Sequence, residues 1–86
     1  MDSIDPELEL DYPREWEFRI IGLDEARLRA AAAEVVGETP HNLQAGNQSS
    51  GGKYVSMQLS LQVASEEERN ATFGRLSAHA DIVYVL

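Results

Sequence analysis

Apolar and polar positions alternate most regularly between residues 54 and 63, where Val55, Met57, Leu59, Leu61 and Val63 are interleaved with Tyr54, Ser56, Gln58, Ser60 and Gln62. A period of two sustained over that stretch predicts a β-strand with one face buried and the other not. Such a strand spans ~33 Å at the usual rise, which suits a central place in a sheet. A second alternation, Trp16, Phe18 and Ile20 against Glu17, Arg19 and Ile21, predicts another strand over 16–22. Asp81–Leu86 reads as a strand with Val83 and Val85 on one face and Ile82, Tyr84 and Leu86 on the other. Residues 42–48 form a weaker strand, an edge at best, because Gly46 and the amides offer little to bury. Ser49–Gly52 reads as the hairpin loop that follows it.

Two segments carry the helical period instead. Leu28, Ala31, Ala32, Val35 and Val36 recur at helical spacing, with Asp24 as N-cap, Leu23 and Leu28 at the spacing of a hydrophobic staple, and Gly37 as the stop. Glu25 and Arg29 form a favourable i,i+4 pair. In the second segment Ser65 and Glu68 form a capping box, and Glu66 and Glu67 complement the positive end of the helix dipole. Arg69, Thr72, Phe73, Leu76 and Ala80 share a stripe there, with Phe73 and Leu76 as its anchors, while Gly74 weakens the middle of the helix.

The resulting order, β-α-β-β-α-β, predicts an α+β, ferredoxin-like sandwich. Right-handed crossovers give a four-stranded antiparallel sheet of order 4-1-3-2 with both helices on one face and the other face bare. The expected core is Phe18, Ile20, Leu28, Val35, Val55, Met57, Leu59, Leu61, Phe73, Leu76, Val83 and Val85. The chain, 86 residues long, makes one domain. A chain of that size buries on the order of 60% of its unfolded surface, enough for one small core. Residues 1–12 read as an acidic leader, expected to be poorly ordered, ahead of a single domain over 13–86.

Charge sharpens that division. Of the net −8, residues 1–15 contribute six acids and one base, and the remaining residues nine acids and six bases. An acidic surface is repelled by phosphate backbones and anionic membranes, so neither nucleic acid nor lipid is the expected partner. No apolar run is long enough to cross a bilayer, no secretory signal is recognisable, and there is no cysteine, so the expected location is the cytoplasm.

The candidate chemistry is sparse. Gly46–Gly51 begins like a phosphate-binding loop, but Gly52, Lys53 and Tyr54 follow where lysine and a hydroxyl residue belong, and a strand rather than a helix comes next. The outward positions of the long strand carry one aromatic residue, Tyr54, and no basic run, short of what an RNA platform needs. His41 and His79 stand far apart with no ligand partner at motif spacing, and His79 reads as a residue suited to a helix C-terminus. Neither forms part of a nucleophile relay. No catalytic, cofactor-binding or metal-binding residue is therefore expected, and the chain reads as a non-enzyme without a cofactor.

Three segments, YPREWEFRIIG, SSGGKYVS and DIV…VL, stand in an order and spacing that resemble the YbeD-like family of small bacterial proteins of unknown function. The resemblance runs from about Leu10 to Leu86. It departs from the family pattern at Gly51-Gly52-Lys53, where a basic residue is expected earlier, and in a last strand one residue shorter. The resemblance implies a ferredoxin-like fold similar to the ACT regulatory domains, which bind small molecules at subunit interfaces, and it brings no established catalytic residue to transfer.

One feature carries a functional expectation. In a 4-1-3-2 sheet the last strand lies beside the first, so Ile21, Ile82, Tyr84 and Leu86 cluster on the helix-free face beside a Ser/Gln-rich half. That patch predicts a regulatory or protein-interaction module that binds an unknown protein partner, or itself, through the bare face or the edges of the second and fourth strands. The competing explanation for the patch is cover by the leader, through Ile4, Leu8 and Leu10. The alternative function is a small-molecule-sensing, ACT-like domain with its ligand at a subunit interface.

Overall fold

The computed structural model describes residues 11–48 and 52–86. Six elements follow one another: β1 (Arg14–Gly22), α1 (Glu25–Val36), β2 (His41–Gln48), β3 (Val55–Val63), α2 (Glu66–Ala78) and β4 (Tyr84–Val85). The strands form one antiparallel sheet in the order β2-β3-β1-β4, the ferredoxin-like order expected from the succession of elements and right-handed crossovers. The long strand is central, as its length implied, and β2 is an edge.

Local chemistry sets the helix ends. The Asp24 carboxylate accepts from the Arg27 N–H at 2.9 Å, which starts α1 by satisfying an orphan donor. Gly37, at φ 60°, closes the helix by donating to the Ala33 carbonyl. Leu23, at the expected staple position, is exposed. At α2 the Ser65 hydroxyl accepts from the Glu68 N–H at 3.1 Å. The Glu68 carboxylate reaches back to the Ala64 N–H, one residue before the cap. The expected Glu25–Arg29 pair forms at 3.1 Å.

The core lies between the sheet and both helices. Phe18 and Ile20 from β1 and Met57, Leu59, Leu61 and Val63 from β3 meet Leu28, Ala31, Ala32 and Val36 from α1 and Leu76 from α2. The small Ala31 and Ala32 let α1 lie close to the sheet. Gly22, at the end of β1, shows how tight the packing becomes: a Cβ there would stand 2.7 Å from the Asp81 carbonyl oxygen and 2.9 Å from Leu28 Cδ1.

Three expected core positions, Val55, Phe73 and Val83, and one expected bare-face position, Ile82, are corrected. Val55, at the start of β3, is only partly buried and does not join the core. Phe73 is 44% exposed and Val83 42% exposed, whereas Ile82 is 4% exposed and belongs to the core. In α2 the inward stripe passes through Thr72 and Leu76, a four-residue step, which turns Phe73 onto the flank. Thr72 is accommodated inside because its hydroxyl donates to the Glu68 carbonyl at 2.9 Å, a back-bond open to threonine in a helix. The exchange of Ile82 and Val83 has its cause in β4. Ile21 is in register with Tyr84, yet the Val83 N–H also donates to the Ile21 carbonyl at 2.7 Å. Two residues thus oppose one, the arrangement of a β-bulge, and a bulge reverses the inside–outside sense of everything before it.

Tyr12, assigned to the leader on sequence, packs against the core. Its hydroxyl accepts from Arg69 Nη1 at 3.3 Å. The Arg69 guanidinium lies 4.7 Å from the Trp16 ring centroid, within the range of a cation–π contact. These contacts join the start of β1 to α2. Residues 1–10 of the leader, including Ile4, Leu8 and Leu10, and the loop residues 49–51 lie outside the described residues.

Candidate functional site

Strand register assembles the bare face row by row. From β1 it takes Glu15, Glu17, Arg19 and Ile21, which stand opposite Gln62, Ser60, Gln58 and Ser56 of β3. Asn42 and Gln44 of β2 continue the rows at Ser60 and Gln58. On the other side of β1, Tyr84 stands opposite Ile21. The Arg19 N–H donates to the Leu86 carbonyl at 3.0 Å, and the Leu86 N–H donates to the Arg19 carbonyl at 2.8 Å. That reciprocal exchange places Leu86 directly beside Arg19.

The face therefore has two halves. Its β2–β3 side is composed of amides and hydroxyls; its β4 side is apolar. Of the four residues expected to form the patch, Ile21, Tyr84 and Leu86 come together on this face, with Tyr84 59% and Leu86 70% exposed. Ile82 does not join them, because the bulge carries it to the helix side. Val83, just before β4, is also exposed, although alternation alone assigned it to the interior. A bulge is written in backbone hydrogen bonds, so no residue type in DIVYVL announces it.

Arg19 is the one cationic side chain that the four strands place on this face among the described residues, and its guanidinium has no hydrogen bond or ion pair there. Two shallow depressions, of about 260 and 220 Å³, meet at Arg19 and Gln58; the second reaches Leu86. A third, of about 370 Å³, lies toward the far end of the sheet among Glu15, Asn42, Ser60 and Gln62.

The turn that delivers β4 is held by His79. Its Nε2 stands 2.7 Å from the Glu34 carboxylate of α1, and its Nδ1 accepts the Asp81 N–H at 3.1 Å. With Nδ1 accepting, the proton sits on Nε2 and points at Glu34. The His79 carbonyl in turn accepts from the Ile82 N–H at 3.1 Å. The ring thus ties α1, the end of α2 and the approach to β4 together, a structural role beyond that of a helix-terminal residue. His41 lies in β2, with Nδ1 2.8 Å from the Thr39 carbonyl oxygen. Among the described residues, no three His, Asp or Glu side chains converge as a metal site would require, and no helix is long and apolar enough to cross a membrane.

Comparison with known proteins places this architecture. The chain is 29% identical over 77 residues to the uncharacterized protein Cj0253 of Campylobacter jejuni, covering 90% of this chain and 88% of that protein. The solution structure of protein HP0495 from Helicobacter pylori matches with a TM-score of 0.75 and 29% identity, over 91% of this chain and 86% of that one. A second solution structure of HP0495 matches at 0.66 and 28% identity, over 99% of this chain and 96% of that one. The family described as protein of unknown function DUF493 matches residues 7–86, in line with the resemblance read from the three sequence segments. The chain belongs to the DUF493 family of proteins of unknown function.

Proposed function

We propose that the chain is a non-enzymatic interaction module that receives a protein partner on the bare face of its sheet, at the β1–β4 side. The observation that carries the reading is the meeting of Ile21, Tyr84 and Leu86 beside the polar half of a sheet face over which neither helix lies. An exposed aromatic and an exposed leucine on one strand, with Ile21 and Arg19 beside them and the amides and hydroxyls of β3 beyond, have the composition of an interface centre with a polar rim. Sequence charge, −8 overall, disfavours nucleic acid and anionic lipid as the partner. The test is affinity capture from bacterial lysate with the wild type and with Tyr84→Asp, quantified protein by protein. The substitution is expected to remove a specific partner while leaving the circular dichroism spectrum intact. Equal recovery by both chains would refute the reading.

A second reading, a small-molecule sensor of the ACT kind, is supported by the two depressions that meet at Arg19 and Gln58. A ligand that binds the folded chain raises its melting temperature by mass action, and Arg19→Gln should abolish that rise. Silence across a panel of amino acids and carboxylate metabolites would remove this alternative.

A further inference from the structure

β4 is an edge strand, and its pairing with β1 dictates what the edge offers. Because Arg19 and Leu86 exchange both of their backbone hydrogen bonds, the alternation of an antiparallel ladder turns the Val85 N–H and C=O away from β1 and out of the sheet. On either side of that free pair stand Tyr84 and Leu86, both pointing to the bare face and both exposed. From Ile82 to Leu86 there is no charged side chain and no proline. Solvent-facing sheet edges are guarded by brevity, bulges, lysine or proline; this one is short and begins at a bulge, but carries neither lysine nor proline.

We infer that a second copy of the chain pairs with this edge, β4 against β4′ antiparallel, about a two-fold axis at Val85. The inference rests on the interaction reading above and names the occupant of its edge. The segment is self-complementary in this one register. Val85 and Val85′ exchange both backbone hydrogen bonds, Tyr84 lies across from Leu86′, and Leu86 lies across from Tyr84′. The two-fold stands perpendicular to the sheet, so the bare faces of both copies become one continuous face. Across it run two equivalent rows, Ile21–Tyr84–Leu86′–Arg19′ and its mate, and the two small apolar patches merge into one strip capped by Arg19 at each end. The edge adds no charged side chain to the repulsion between two copies of a −8 chain.

The interface is smaller than the ~800 Å² per partner of standard complexes, so association should develop over roughly 10 µM to 1 mM rather than at nanomolar levels. Because it works against net-charge repulsion, raising NaCl from ~0.05 to ~0.5 M should strengthen it. Sedimentation of the full chain across this range tests the inference. The expected result is a shift from 9.5 kDa toward twice that mass. The shift should be lost in Val85→Pro, where the outward N–H is removed without touching a bond to β1. Register is tested by charge exchange: Tyr84→Lys and Leu86→Glu should each abolish the shift, and the double variant should restore it through two Lys–Glu pairs across the axis. A single 9.5 kDa species at every concentration and salt, or a double variant that stays monomeric while wild type dimerises, overturns the inference. Those results leave the docking reading standing if Tyr84→Asp still loses its captured partner. A dimer formed as described, with no partner sensitive to Tyr84→Asp, would instead uphold the inference and defeat that reading.

Discussion

The bulge in β4 can be tested by the energetic ranking of two neighbours, Ile82 and Val83. In an uninterrupted strand Val83 faces the helices with Val85, and Ile82 faces solvent. With two residues opposite Ile21 the ranking reverses, leaving Ile82 4% and Val83 42% exposed. Truncating a buried isoleucine to alanine costs ~2–5 kcal/mol, through lost transfer free energy and the cavity left behind. Ile82 belongs to the core, so Ile82→Ala should cost about 3 kcal/mol, within that range. Val83→Ala removes two methyl groups that are little more than half covered. At ~0.8 kcal/mol per fully buried carbon, that loss comes to about 1 kcal/mol. Equilibrium urea unfolding measures both, and Trp16, the sole tryptophan, held at 4.7 Å from the Arg69 guanidinium, supplies the fluorescence signal. With a slope of about 1 kcal/mol/M for a domain this small, the midpoints should fall by about 3 M and about 1 M. Equal losses, or a larger loss for Val83→Ala, would refute the bulge and return Ile82 to the surface.

Three further substitutions probe the elements that position the bare face. Gly22→Ala places a methyl group 2.7 Å from the Asp81 carbonyl oxygen. Overpacking of that kind should cost ~1–3 kcal/mol by thermal unfolding, and no measurable loss would mean that the turn before β4 gives way freely. Ser65→Ala removes the oxygen that accepts the Glu68 N–H and should cost about 1 kcal/mol, seen as a lower urea midpoint. An unchanged midpoint would show that the Glu68 carboxylate caps α2 unaided. Glu25→Gln alters a pair exposed on both sides, and it should leave the urea midpoint nearly unchanged, since such pairs contribute little. A clear drop would assign that carboxylate a role beyond its contact with Arg29.

Several elements were legible from local pattern. Alternation located β1 and β3, and the register that joins them pairs Trp16 with Leu61, Phe18 with Leu59 and Ile20 with Met57. A slip of one residue would have exposed one strand's whole apolar set, so hydrophobicity and pairing enforce each other. Asp24, Gly37 and Ser65 mark helix ends through hydrogen bonds made within four residues, the range over which sequence acts directly. Phe73 shows the limit of the same reasoning. Its apolar surface belongs to the helix pattern, but the orientation of α2 over the sheet decides which side of that pattern is inside, and Thr72 took the place by satisfying its own hydroxyl.

Ile21, Tyr84 and Leu86 were brought together by strand order, which followed from crossover handedness and so from the sequence of elements. Ile82 was misplaced because its side depends on a turn held from elsewhere: His79 joined to Glu34 of α1, the Asp81 N–H on the ring, and Val83 donating to β1 one residue out of register. By itself, the order of residues determined the number and kind of elements, their caps and the handed path that makes one sheet face bare, because these depend on side-chain period and short-range hydrogen bonds. Only the tertiary structure decided which face of β4 looks inward, since a single extra residue in the pairing inverts a strand, and contacts 45 positions apart hold the turn where that residue enters.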